Sequence, residues 1–179
     1  MKFLMKGVVV SSFLTLMLTC TLFGQQIKWM TFDEAIAAHQ KIKKKIIVDI
    51  YTDWCTWCQK MDQSTFQNPF IANYINDHYY PVKFNAEQQD KVSFNDKEYY
   101  YVKKGNRGYH ELAAELSLGR LSYPTIVFLD EDLQVIQALR GFQSTLRFEQ
   151  IMTYFAQDFH KTTPWSKFSE NYQTFISHN

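Results

Sequence analysis

The segment Ile46-Ile47-Val48-Asp49-Ile50-Tyr51, followed at once by a turn and Cys55-Thr56-Trp57-Cys58, constrains this chain more than any other feature. A nearly continuous apolar run of that length reads as a β-strand covered on both faces. Two cysteines three apart fit the opening turn of a helix. There the helix dipole and the unpaired backbone N–H groups stabilise a thiolate. A thiolate attacks disulfides, and a second cysteine within reach resolves the mixed disulfide that forms. A strand delivering the chain into Cys-x-x-Cys at a helix start is therefore a dithiol redox site on an α/β scaffold.

The N-terminus bears on compartment. Met1-Lys2-Phe3-Leu4-Met5-Lys6 is basic, Gly7 to Phe23 carries no charge, and Gly24-Gln25-Gln26 follows. Basic start, apolar core and small residue describe a secretory leader of residues 1–24, with cleavage after Gly24. A retained anchor and a lipidated Cys20 are the alternatives. Thr19 before Cys20 is larger than the glycine or alanine usual at a lipidation site. Loss of the leader removes Lys2, Lys6 and Cys20, so 17 basic residues stand against 18 acidic ones and two cysteines remain. Near-neutral charge gives no electrostatic footprint for nucleic acid. A disulfide closing so short a loop constrains the unfolded chain little, so the pair is there for chemistry rather than as a staple. Residues 25–179 suit one domain, expected to be monomeric, with a core at about 29–158.

Elements follow from local pattern. Thr31-Phe32-Asp33-Glu34 has capping-box spacing, with Phe32, Ala35 and Ile36 on one face of a first helix. Lys41 to Lys45 then reads as its solvated basic end. After the strand and the redox motif, a helix runs to about Met61. Asn68-Pro69 caps another through Ile75, and Tyr80 to Asn85 is a strand. Residues 86–108 read as an inserted β-hairpin. With Asn95-Asp96 as its turn, Val92, Phe94, Tyr99 and Tyr101 share one face. Tyr109 to Leu118 is a helix stopped by Gly119. Thr125 to Leu129 and Val135 to Leu139 pair across Asp130-Glu131-Asp132. A helix over Leu146 to Phe159 and an aromatic tail, Trp165 to Phe175, complete the chain, the tail (residues 160–179) packing back onto the domain.

The order strand, Cys-x-x-Cys helix, strand, helix, Tyr123-Pro124-Thr125 into a hairpin, then helix resembles the thioredoxin superfamily over most of Trp29 to Asp158. Asp49-Ile50-Tyr51-Thr52-Asp53-Trp54-Cys55-Thr56-Trp57-Cys58 is similar to the periplasmic C-terminal domain of DsbD-type reductases. The resemblance implies an α/β thioredoxin-like fold, a central mixed sheet flanked by helices, with the hairpin inserted before a cis-proline. It implies Cys55 as nucleophile, Cys58 as resolving thiol, and Asp49 as a buried proton acceptor, since burial raises a carboxyl pKa. Lys83 matches a lysine beside that aspartate. Tyr123, Pro124 and Thr125 match the cis-proline loop, whose backbone pairs with an extended client segment. Trp54, Thr56 and Trp57 flank the dithiol as client-binding residues, and Gly141 matches a glycine near the site. Without the resemblance, the same residues also read as a strand-edge aspartate, a surface lysine, a trans proline opening a strand and an ordinary turn glycine. Thr56-Trp57 is neither Gly-Pro nor a pair containing histidine, which leaves the redox direction open.

Other chemistry for Cys-x-x-Cys fares worse. A structural zinc site needs four ligands; no second cysteine pair exists, and the five histidines are scattered. Covalent haem needs histidine where Gln59 stands. The expectation is an exported, periplasmic or secreted thiol–disulfide oxidoreductase with no cofactor or metal beyond its own Cys55–Cys58 disulfide. It would reduce disulfide-bearing client proteins and draw electrons from a membrane thiol relay. A disulfide oxidase or isomerase, and a non-redox binding scaffold docking through its hairpin, are the competing readings.

Overall fold

The computed structural model describes residues 26–176. The leader call on residues 1–24, Cys20, and the chain's last three residues lie outside that range. No helix among the described residues is long and apolar enough to cross a membrane.

The core is a four-stranded mixed sheet. Strand β1 (Lys45–Tyr51) pairs in parallel with β2 (Tyr79–Asn85) and antiparallel with β7 (Thr125–Leu129), which pairs antiparallel with β8 (Val135–Arg140); the spatial order is β2-β1-β7-β8. Alternation sends side chains to two apolar layers. Val48, Ile50, Val82, Phe84, Val127 and Leu129 face one, packed by α1 (Phe32–Lys41) and α4 (Glu111–Leu116) through Phe32, Ala35, Leu112 and Leu116. Ile47, Ile126 and Phe128 face the other, where α2 (Thr56–Gln63), α3 (Pro69–His78), α5 (Thr145–Ala156) and α6 (Trp165–Asn171) bring Met61, Ile71, Ile75, Phe148 and Phe168. Each fully buried Phe or Ile contributes about 1.5–3 kcal/mol. The two layers thus hold β1 as a rigid rail for whatever leaves its C-terminal end.

Local signals set several boundaries. Thr31 and Glu34 form the reciprocal capping box of α1. The Asn68 side chain accepts the N–H groups of Phe70 and Ile71 at the start of α3. Elsewhere tertiary structure corrects the sequence reading. The basic run does not end in solvent: Lys45 opens β1 at 4 % exposure, its ammonium held by Glu131 (2.7 Å) and Asp158 (3.0 Å). Removing it leaves two carboxylates facing each other across a site whose lysine stem is buried. Lys45→Ala is expected to cost about 1–3 kcal/mol in urea unfolding, since both partners keep access to water, and Lys45→Met less because packing survives. The terminal helix stops at Ala156, short of Phe159, with Asp158 left-handed after it. In the aromatic tail Phe168 is buried while Phe175 is 72 % exposed. Buried Glu149 holds the tail by accepting from Tyr172 (3.0 Å), Thr174 and the Phe175 N–H (2.6 Å).

The segment before the third sheet strand holds two hairpins rather than one. Strands β3 (Val92–Phe94) and β4 (Lys97–Tyr99) turn at Asn95-Asp96, both at positive φ. Tyr100 ends that ladder, because its N–H and carbonyl are spent on the Glu111 side chain (3.0 Å) and backbone N–H (2.9 Å). Tyr101 therefore does not join Val92, Phe94 and Tyr99. It starts β5 (Tyr101–Lys104), which pairs with β6 (Arg107–His110). A Cβ on Gly108 would sit 2.3 Å from the end of the Tyr101 ring and 2.5 Å from the Val102 carbonyl oxygen, a backbone atom with no room to yield, so the close approach requires glycine there. Tyr109 and His110 are strand residues, and α4 begins only at Glu111. Buried His110 caps it by accepting the Leu112 N–H at Nδ1 (3.2 Å), while Nε2 bonds the Asp90 carbonyl (3.0 Å).

Candidate active site

Where β1 ends, Thr52 accepts the Cys55 N–H (3.1 Å) and turns the chain into α2. Cys55 is the N-cap of that helix, its Sγ accepting the Cys58 N–H (3.1 Å). The sulfurs are joined in a disulfide across a Cα–Cα distance of 5.3 Å. An N-cap sulfur takes the place of the usual capping oxygen, so the helix start offers it the N–H groups that stabilise a thiolate once the bond is reduced. The two cysteines are almost equally covered, Cys55 at 5 % exposure and Cys58 at 3 %. Position, not burial, separates them. Cys58 lies one turn before Met61 on the buried face of α2, whereas Cys55 caps its end.

A chain of contacts runs around the dithiol. Trp54, 53 % exposed, stands edge-on to Tyr123 (5.8 Å between ring centroids). Tyr123-Pro124 is cis, the Pro124 carbonyl accepts the Gly141 N–H (2.8 Å), and Phe142 packs on Trp57 (5.7 Å), itself 55 % exposed. Gly141 sits at φ +84°, a conformation L side chains rarely adopt. Thr125 is buried and donates to the Ser122 carbonyl (2.7 Å), fixing the loop, and Thr56 is exposed at the first position of α2. The circuit thus joins Trp54, Tyr123, Pro124, Gly141 and Trp57 around Cys55 and Cys58.

Beneath it lies a charged cluster. Asp49 is 2 % exposed and points to the same side of the sheet as Ile47, toward α2. Its Oδ2 accepts from Lys83 (2.6 Å), which pairs with it in the β1–β2 register, while Oδ1 has no hydrogen-bond partner among the described residues. Burial raises the Asp49 carboxyl to about 6 against the opposing pull of Lys83. Lys83 also donates to Asp62, four residues past Cys58, tying strand to helix. Burial draws the Lys83 ammonium down, but the two carboxylates outweigh it and hold its pKa above the usual lysine value. The rings of Trp29, Tyr51 and Phe66 surround the nitrogen at 4.9–5.5 Å. An open cleft of about 520 Å³, lined by Trp29, Asp62, Phe66, Gln67 and Lys83, reaches this cluster from solvent.

Sequence reasoning missed four contributors. Asp62 was legible as a carboxylate one helical turn beyond Cys58. Lys60, 4.9 Å over Trp57 and 5.4 Å over Phe142, and Phe142 itself had no pattern to mark them. Arg107, with its guanidinium 5.0 Å over Trp54, comes from the second hairpin. No group of three or more His, Cys, Asp or Glu among the described residues could hold a metal ion.

The arrangement can attack, resolve and exchange a proton beside an exposed aromatic rim. The family profile described as a thioredoxin-like domain matches residues 32–156. Two curated relatives, the thiol:disulfide interchange proteins DsbD of Pectobacterium atrosepticum and Photorhabdus laumondii, are 25 % and 26 % identical over 122 and 130 residues. These alignments cover 67 % and 72 % of this chain but 18 % and 19 % of the relatives, so the chain spans about a fifth of their length. A thioredoxin from Thermus thermophilus superposes with a TM-score of 0.55 at 16 % identity, covering 83 % of this chain and 99 % of that one.

Proposed function

We propose that this chain, which belongs to the thioredoxin-like family, is a protein-disulfide oxidoreductase that works in the reducing direction on disulfides of exported client proteins. The observation that carries the reading is the Cys55–Cys58 disulfide capping α2 within the Trp54–Tyr123–Pro124–Gly141–Trp57 circuit, with Asp49 buried in the strand that leads to it and its carboxyl raised to about 6 by that burial. In the reduced protein the Cys55 thiolate attacks one client sulfur. The client S–S bond breaks and its other sulfur leaves as a thiolate that takes up a proton. Cys58, its proton passed to Asp49, then attacks Cys55 and releases the second client thiol. Two electrons move from the dithiol to the client, and a membrane thiol relay restores them. Tyr123 offers its backbone to the client segment, and Trp54, Thr56 and Trp57 contact it. In this reading the working form begins at Gln25 as a monomeric single domain with its core at about 29–158, its insertion from about 86 to the end of β6 at His110 and its tail at 160–179.

Direction follows from how well the reduced thiolate is held. Among the described residues the one hydrogen bond to the Cys55 sulfur comes from the Cys58 N–H, and the cations of the rim, Arg107 and Lys60, sit on tryptophan rings. Thr56 and Trp57 between the cysteines bring no charge. Weak stabilisation of the thiolate lowers the potential, so equilibration with glutathione, read by mass shift after alkylation, should give a value below about −200 mV, compared with about −120 mV for a strong oxidant such as DsbA. A value near −130 mV would overturn the reducing assignment.

A further inference from the structure

We propose that the β5–β6 hairpin selects clients, favouring extended segments that carry Asp or Glu beside the disulfide cysteine. The inference rests on the oxidoreductase reading and names the substrate class of that same site. Its starting point is an asymmetry between the two hairpins. In the first, Lys91 is paired with Glu98 (2.6 Å) and Lys97 with Glu115 (3.7 Å). In the second, Tyr101–His110 contains Lys103, Lys104 and Arg107 and no acidic residue, all three are exposed, and no salt bridge among the described residues involves them. The tip thus carries three cations without an ion-pair partner among the described residues.

Placement turns that field toward the chemistry. Arg107 lies 5.0 Å over Trp54, which precedes Cys55 and touches Tyr123. The hairpin is held in position by the Tyr100–Glu111 bonds at its base and by Tyr101 packed on Gly108. No hydrogen bond among the described residues uses the Arg107 guanidinium, so its N–H donors are free to match a carboxylate in a bidentate pair. Two carboxylates on the same rim are hydrogen-bonded to neutral donors and form no salt bridge with these cations among the described residues: Glu87 accepts the Trp54 indole N–H (3.1 Å), and Asp53 accepts from Asn85 (3.2 Å). On the other wall of the dithiol, Lys60 caps Trp57 and Phe142 in the same manner. A client strand crossing Cys55 thus runs between two aromatic–cation pairs, with the basic tip at one end. Exposed charges of this kind act on encounter rate and are screened by salt.

The test uses the protein reduced with dithiothreitol and freed of it, mixed with peptide disulfides identical except for Glu, Gln or Lys on both sides of the cysteine. Each exchange consumes one peptide disulfide, yields two peptide thiols and oxidises Cys55 and Cys58. At low ionic strength the Glu peptide should react about 10-fold faster than the Lys peptide, with Gln between, and near 1 M salt the ratio should fall toward 1. Lys103→Ser/Lys104→Ser/Arg107→Gln should collapse the ratio to about 2 or less, Arg107→Lys should retain most of it, and Lys91→Ser/Lys97→Ser in the neighbouring hairpin should leave it in place. Equal rates for Glu and Lys peptides, a ratio insensitive to salt, or a ratio that survives in the triple variant would each overturn the proposal. Neutral 2-hydroxyethyl disulfide separates the two claims. If the wild type does not exchange with it either, the oxidoreductase reading fails; if it exchanges while showing no preference among the peptides, the charge selection alone fails.

Discussion

Replacing Cys58 by serine is expected to convert the protein into a covalent trap, with client mixed disulfides accumulating on Cys55 and disappearing on addition of reductant. The argument is geometric. Cys55 caps α2 and keeps its attacking sulfur in the variant, so the first step survives. The second does not. In the native chain the resolving sulfur is held across a 5.3 Å Cα–Cα span on the same helix start, and oriented groups of this kind act at effective concentrations of ~10⁵ M or more. External thiol at millimolar levels replaces them poorly, so release should slow by several orders of magnitude. Non-reducing gels of the exported fraction, with each captured band identified by mass, provide the measurement. Cys55→Ser should trap nothing, because Cys58 faces the core beside Met61. Trapping by Cys55→Ser and not by Cys58→Ser would reverse the two roles. The near-equal cover of the two cysteines makes this a real test, since accessibility alone does not choose between them.

What the sequence shows and what it hides divide along a physical line. The strand from Ile46 to Tyr51, the capping box at Thr31, the Asn68-Pro69 helix start and the turn at Asn95-Asp96 are visible because a few adjacent residues determine them. Asp49 stands out as the one charge in the apolar run from Ile46 to Tyr51, and its pairing with Lys83 follows once the parallel β1–β2 register is known. Lys45 misleads because its burial depends on Glu131 and Asp158, far away in sequence. The second hairpin is hidden because Glu111 captures the backbone of Tyr100 and interrupts a run that otherwise reads as one strand. Arg107 becomes part of the rim solely through that hairpin's path. Local chemistry therefore announces the dithiol, while long-range contacts decide what surrounds it.

Asp49→Asn should separate the proton-transfer role of this carboxyl from its structural one through two opposite effects. Turnover should fall by about 10²-fold, the low end for a general base, because the cleft beside Lys83 and Asp62 admits water that substitutes in part. The wild-type rate should rise with pH through about 6 as Asp49 ionises and becomes able to accept the Cys58 proton, and this inflection should vanish in the variant. Stability runs the other way. The folded pKa of Asp49 is raised above its ordinary value of 3.8, so the folded state binds more protons than the unfolded state between roughly pH 4 and pH 6. Stability from this group is therefore fully present below pH 4 and is lost as pH rises through 6. A shift of about two units corresponds to ~3 kcal/mol. Asparagine keeps the size of the protonated acid and never ionises. In urea unfolding of the oxidised protein, wild type and variant should lie close together at pH 4, with the variant ahead by up to ~3 kcal/mol at pH 8. Its lead should be reduced by what Lys83 loses when Asp62 is left as its remaining carboxylate. A variant less stable than wild type at pH 8 would mean that the Lys83 pair outweighs the burial of the charge, and unchanged turnover across pH 6–9 would reduce Asp49 to a structural residue.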